Sequence, residues 1–578
     1  MPAPFINQKF TFTNPDGSTI EVVGSGNQFY ARFETEDGYT VIKDPKTGYY
    51  RYAQLSDDNS KLLPIAKSIN DVDPSGLGIE KHVRLRKSSV RQIVQSSPLA
   101  EGAVVPRWKT RRAMKKAAVT QRLLVDGPQT APVTAPTVGN YVGLCILVKF
   151  PDVTDTISVQ EVGNFCNQPG YSGFGNNGSV RDYFFDNSRS KLTYTNVVTR
   201  YYTASNNRSY YTDPAISFGS RARELITEAL DHFKSQGFNF GQLTSDSGGF
   251  IYALNVYYVG ARMNNWSEGL WPHQWGLASS YDVGGGKKFS DYQITNMGSS
   301  LTLRTFCHEN GHMICSFPDL YDYGGNSNGV GNFCLMCNGG NDKNPVQVGA
   351  YLKNEAGWST SLVPITAGTT ASLNAANNDF YIYSKNANEY FIIENRQKSG
   401  RDTFLPDSGL AIWHIDELGD NDNEQMTSAM HYECSIEQAD NQFDMEKNVN
   451  AGDANDLFSA PNKIQFSDST SPNSKWWDGS NSDLKISDIS ASGSIMTFKS
   501  LGVAGWVFGK NAVYISSRVG TKWAHAIIED SAGWKRIAPT SLDGVTNVVT
   551  ILNAAVTKNK KVNVYFGTDG EIYGVYMS

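Results

Sequence analysis

The segment Phe306-Cys307-His308-Glu309-Asn310-Gly311-His312-Met313-Ile314 places two histidines four residues apart, with a glutamate directly after the first. In a helix, positions i and i+4 share a face, so both imidazoles can reach a single ion. Zinc suits imidazole nitrogen and tolerates four-coordination with one position open to water, beside which the intervening Glu309 can act as general base. The plain alternative is a core helix with two hydrogen-bonded histidines, so the surrounding sequence has to decide. Ser316-Phe317-Pro318-Asp319-Leu320-Tyr321-Asp322 follows the helix, and its proline allows a sharp turn that returns a carboxylate to the metal. Asp319 is the expected third ligand. Further on, Met336 precedes the Gly339-Gly340 turn, where a methionine packed beneath a zinc site would stand, although taken by itself it reads as plain core.

The chain of 578 residues is several times a typical domain of about 100 to 200 residues, so three or four folding units are expected. With 40% hydrophobic and 19% charged residues, it has ample material for conventional cores. A net charge of -6 argues against whole-protein affinity for nucleic acid or anionic membrane. That average hides a basic stretch: between Arg84 and Arg122 eleven Lys or Arg stand against the single acid Glu101, a local +10 that leaves -16 elsewhere. It reads as a solvated basic helix or linker, or as a connector open to a processing protease. No apolar run approaches the roughly 20 residues of a membrane span. The first eight residues lack the basic and apolar regions of a secretory signal. Seven cysteines, at 145, 166, 307, 315, 334, 337 and 434, are too few and too scattered for a disulfide scaffold.

Short strand signals with Pro15-Asp16-Gly17 and Asp37-Gly38 turns predict a β-rich amino-terminal prodomain over 1–83. The basic and Pro/Thr/Ala-rich connector takes 84–138, with 128–136 as an extended tether. A zincin-like catalytic domain is expected over 139–364. It opens with the buried-strand pattern Tyr141 to Phe150 and includes a helix capped by Ser220, with Ala222, Leu225, Ile226, Ala229 and Phe233 at helical spacing. Strand patterns predict a β-rich companion over 365–501 and a β accessory domain over 502–578. The fold class expected is α+β.

Beyond the metal motif, the sequence resembles the immune inhibitor A type of zinc metallopeptidases, secreted bacterial enzymes related to the metzincins. The matching stretches are Asn14 to Ser18, Gly178 to Phe184, Leu270 to Trp275, the active-site helix with Pro318 to Asp322, Glu394 to Arg396, and Gly409 to Glu417. The resemblance runs to about residue 500. It implies zinc on His308, His312 and an aspartate, Glu309 as base, Met336 as the structural methionine, and an extracellular life despite the missing signal. One departure matters: the family's pattern has Gly three residues after the second His and Asp three further on. Here Cys315 holds the Gly position and Asp319 lies one residue late, implying an extra residue in the turn. Asp322 is the rival ligand, with water or Cys315 behind it.

The expected activity is a zinc-dependent endopeptidase acting on proteins or peptides and made as a latent precursor, with an activating protease as a further partner. No cysteine precedes Cys145, so a prodomain thiolate cannot cap the zinc; Asp71, Asp73, His82 or steric blockage must serve. The acidic loops at 420–424 and 453–456 offer oxygens suited to calcium. Trp506, Trp523 and Trp534 are either the core of the last domain or a glycan-contacting surface. Two other readings remain. One is an adhesin or binding protein with a structural or inert zinc site. The other is a serine hydrolase using Gly325-Asn326-Ser327-Asn328-Gly329, which lacks the preceding strand of a nucleophile elbow. His273, His414 and the Cys334/Cys337 pair read as structural, and Tyr321 and Tyr323, whose hydroxyls could stabilise a tetrahedral oxyanion, are not assigned that role.

Overall fold

Alternation builds the first sheet: Phe10, Phe12, Ile20 and Val22 are buried while Lys9, Thr11 and Glu21 face water, the period-two pattern of a half-buried strand. The computed structural model describes residues 4–69, 72–97, 101–123, 136–366, 368–421, 426–500, 505–517, 523–529, 531, 533–539, 543–567 and 570–577. In these residues α and β structure are mixed, as expected. The chain divides into two compact units, the first made of Met1–Arg112, Gly139–Asp186 and Ser190–Pro345, the second of Ala113–Val138, Asn187–Arg189 and Val346–Ser578.

The first unit holds two sheets. Strands β1 (Phe5–Thr13), β2 (Thr19–Gly26), β3 (Ala31–Glu34), β4 (Thr40–Lys43), β5 (Tyr50–Leu55) and β6 (Leu62–Ser68) form an antiparallel meander in sequence order. Its turns fall at the expected glycines, Gly17 (φ 85°) and Gly38 (φ 92°), in the left-handed conformation that a side chain disfavours. The second sheet contains β7 (Gly139–Lys149), β8 (Leu192–Thr203), β9 (Leu254–Tyr258), β10 (His273–Gly284) and β11 (Lys287–Asn296), in the order β10-β11-β9-β7-β8. Four strands run parallel and β10 alone is antiparallel, at the edge. The two sheets share one core, with Phe10 against Trp271 (5.8 Å), Phe33 against Trp266 (5.9 Å) and Phe29 against Trp275 (5.5 Å).

The helix Ser220–Ser235 buries Ala222, Leu225, Ile226, Ala229 and Phe233 on one stripe. Ser220 does not cap it. Gly219 is the N-cap, in a left-handed conformation (φ 85°), and Ser220 is the first helical residue. The basic connector contains the helices Lys87–Gln95 and Arg107–Leu123. Its tether lies outside the described residues apart from Pro136, as does Asp71.

In the second unit, Ser361–Pro364, Asp379–Ser384, Glu389–Arg396, Gly409–Asp416 and Cys434–Ile436 form a five-stranded sheet. A four-stranded sheet and two three-stranded sheets complete it. The carboxy-terminal part corrects the sequence reading, because a 14-residue helix, Gly544–Thr557, packs on its sheets through Val548, Leu552 and Ala555. Its run of β-branched residues imitates a strand, but the buried positions recur at three to four residues, so packing overrides propensity. Trp523 and Trp534 are 58% and 51% exposed and are not core. All seven cysteines are buried thiols, none in a disulfide. No described helix is long and apolar enough to cross a membrane.

Candidate metal centre

All thirteen residues of the helix Leu303–Cys315 are buried. Phe306 stacks on Tyr257 (5.5 Å, 17°) and meets Phe165 edge-on (5.7 Å), fixing the helix against the second sheet. Asn310 supplies a polar anchor: its amide donates to Asn255 Oδ1 (2.8 Å) while Tyr194 Oη donates to Asn310 Oδ1 (2.5 Å). Asn255 also accepts from Gln293 (2.5 Å), so a buried amide chain ties the helix to β8, β9 and β11. The hydrogen bonds of this buried chain orient the helix on the sheet, although Gln293 Oε1 is left without a partner among the described residues. Nothing in the sequence singles these residues out, since Asn and Gln carry no periodic signature.

The helix ends with Ser316 in the left-handed conformation (φ 58°, ψ 28°), its N–H bonded back to the last turn. Cys315 is still helical, and Asp319 stands three residues beyond the left-handed Ser316. Gly311 matters for another reason: a Cβ there would come within 2.8 Å of Met336 Sδ. Met336 is fully buried beneath the helix, and its carbonyl accepts from the Leu320 N–H (2.8 Å).

His308 Nε2 and His312 Nε2 both lie 3.1 Å from Asp319 Oδ1. The structure thus brings together His308, His312 and Asp319, whose ligand atoms all lie within 4.8 Å of one another. The opposite ring nitrogens meet backbone carbonyls, His308 Nδ1 at Leu335 O (3.0 Å) and His312 Nδ1 at Phe317 O (2.6 Å). Donation from Nδ1–H to a carbonyl turns the Nε2 of each ring toward Asp319, and this is the nitrogen that would bind a metal once deprotonated. Asp319 Oδ2 accepts from Tyr323 Oη (2.6 Å). Burial opposes the charge of Asp319, but the two imidazoles outweigh it and hold the carboxyl well below the usual range.

Glu309 is fully buried, 3.8 Å from His308 Nε2, and its Oε1 is without a hydrogen-bond partner among the described residues. Burial pushes it up to about 8, with His308 opposing and Asp319 adding to the rise. Two imidazoles, one carboxylate and a second carboxyl with an empty acceptor are a donor set that fits zinc.

Asp322 is used elsewhere. It accepts the N–H groups of Gly324 (2.7 Å), Asn326 (3.0 Å) and Ser327 (3.1 Å), closing the loop that contains the Gly-x-Ser-x-Gly match. Cys315 is buried with its thiol pushed up. His273 is sealed between Trp271 O (2.6 Å) and Tyr292 Oη (2.9 Å), and burial lowers its pKa to about 3. His414 lies between Glu389 and Glu437, both at 3.2 Å. Asp453 and Asp456 form a carboxylate group with Asp440. Residues 422–424 of the other acidic loop lie outside the described residues.

Sequence reasoning missed what covers the centre. Trp108, 6% exposed, stacks on His312 with ring centroids 4.4 Å apart and planes 18° apart. Val104 N–H donates to Leu277 O on edge strand β10 (2.8 Å), and a methyl group on Gly276 would collide with the Val104 carbonyl. Arg107 and Arg111 both bind Asp246 Oδ2, at 2.7 and 3.2 Å. Asp73 caps a short turn and His82 pairs with Glu34 (2.8 Å). The chain matches no protein-family model, and a search of curated proteins finds no relative.

Proposed function

We propose that this chain is a zinc-dependent endopeptidase of the immune inhibitor A type that its motifs resemble, made as a latent precursor and acting outside the cell on proteins or peptides. The observation that carries this reading is the convergence of His308 Nε2 and His312 Nε2 on one Asp319 oxygen, beside the buried and unpartnered Glu309 carboxyl. A helix beneath a mixed sheet whose single antiparallel strand is at the edge supports a zincin-like catalytic domain. When bound, zinc supplies Lewis-acid polarisation of a peptide carbonyl and lowers the pKa of water toward ~7.

His308, His312 and Asp319 would hold the ion, each fixed by a second hydrogen bond to Leu335 O, Phe317 O or Tyr323 Oη. Glu309 accepts the proton of the attacking water on its unpartnered Oε1 and passes it to the leaving amine. Edge strand β10 offers backbone groups along which an extended peptide lies. The connector, with Trp108 over His312 and Val104 on β10, supports latency by steric blockage, and an activating protease would release it. Asp73 and His82 are already engaged, which supports the same choice. The Asp440, Asp453 and Asp456 group would be the place for calcium.

The test is casein digestion by wild-type and Glu309→Ala protein, each nicked in the connector with trypsin, with and without a zinc chelator. Nicked wild type should cleave, chelation should abolish cleavage, and loss of the base should cost about 10²- to 10⁴-fold. Equal activity in all samples overturns the mechanism. Stoichiometric zinc with no cleavage after nicking favours a binding protein.

A further inference from the structure

Lys109, one residue beyond the tryptophan that covers His312, points into a box of aromatic rings. Its Nζ lies 4.5 Å from the Trp275 ring centroid, 5.0 Å from Phe29, 5.4 Å from Trp108 and 6.0 Å from Tyr323. Phe29 closes the walls, 5.5 Å from Trp275 and 5.2 Å from Tyr323. Ring faces attract a cation through their quadrupole, by roughly 0.5 to 1 kcal/mol at exposed sites and about 2 where water is excluded. Behind Tyr323 stands the Asp319 carboxylate, which accepts its hydroxyl at 2.6 Å and adds negative potential to that side of the box.

Two of the walls do not belong to the connector or the amino-terminal sheet. Trp275 is on β10, the strand that Val104 pairs with, and Tyr323 is on the loop that supplies Asp319. Both remain beside the centre when the connector is cut and released. The vacated space is then a cation-accepting pocket adjoining His312, on the strand edge that a peptide would follow.

Resting on the endopeptidase reading, we propose that this box is the subsite that selects a Lys or Arg side chain of a protein substrate, and that Lys109 is its built-in occupant in the latent chain. The positive charge, not the aliphatic stem alone, is what the converging ring faces recognise.

The experiment uses the full chain and reads binding without turnover. Wild type, Lys109→Ala, Lys109→Arg and Lys109→Ala/Trp275→Leu are titrated by calorimetry with the pentapeptide Gly-Gly-Lys-Gly-Gly and with its norleucine counterpart. Lys109→Ala should bind the lysine peptide at least about 5-fold more tightly than the norleucine peptide. Wild type and Lys109→Arg, whose boxes are filled, should bind neither, and the double variant should lose the discrimination. Equal affinity of folded Lys109→Ala for the two peptides, or no binding of either, overturns the subsite. Casein cleavage by the nicked wild-type preparation tests the peptidase reading separately. Equal kcat/KM for lysine and norleucine substrates in that preparation overturns the subsite while leaving the peptidase in place.

Discussion

Replacing Trp108 by Ala removes the ring that roofs His312 and leaves His308, His312 and Asp319 untouched. A buried indole withdraws about 150 to 250 Å² from water, which at roughly 25 cal/mol per Å² is about 4 to 6 kcal/mol. Trp108 is 6% exposed, so nearly all of that applies in the covered state. Its Nε1 donates to Gln274 Oε1 at 3.4 Å, a long bond that adds little. A released connector still folds part of the ring against itself, so about half the burial, some 2 to 3 kcal/mol, separates covered from uncovered states. At 1.4 kcal/mol per tenfold, the uncovered population should rise about 30- to 150-fold. The assay is the rate of zinc removal by a chromophoric chelator from un-nicked protein, alongside hydrogen exchange of residues 104–112. Removal about 30- to 150-fold faster and deprotected amides are expected. An unchanged rate in a folded Trp108→Ala protein would refute the roof.

Asp319→Ala should lose zinc, whereas Asp322→Ala should keep it and lose about 2 to 3 kcal/mol of stability through three orphaned N–H groups, read by metal analysis and denaturant titration. Metal-free protein should become less stable as pH rises from 4.5 to about 8. Folded Glu309 keeps its proton to about 8 whereas the unfolded carboxyl loses it near 4.5, so the unfolded state binds fewer protons across that window. The loss is on the order of 3 to 5 kcal/mol, and Glu309→Gln should flatten the profile in a thermal-shift series. Gly311→Ala should cost about 1 to 3 kcal/mol and weaken zinc binding, because its methyl meets Met336 Sδ within a rigid core; intact affinity would remove the methionine from the site's support.

The parts of this chain that were legible are those whose signal is local. Alternation in Phe10 to Val22, the apolar stripe of Ser220–Ser235 and the i, i+4 histidines each state their geometry within one element. The turn at Pro318 pointed to a carboxylate returning toward the histidines, but Asp319 and Asp322 both stood in that turn, and only the fold separates them by giving Asp322 to the backbone of 324–327. The Asn310–Asn255–Gln293 chain was not legible, because it joins residues 38 and 55 positions apart through side chains with no pattern of their own. Trp108 was hidden for the same reason, inside a stretch whose charge drew attention to solvent rather than to a buried ring. The helix Gly544–Thr557 was obscured by its own β-branched composition.

Edge strand β10 bears on how copies of this chain stay apart. An open edge is a template on which a second copy can add a strand, and the meeting of the Val104 N–H with the Leu277 carbonyl occupies part of it. At this point of the edge the connector stands where a second copy would pair. A gene lacking residues 101–112 should therefore yield more aggregate than the full chain, read by light scattering of the two expressed proteins.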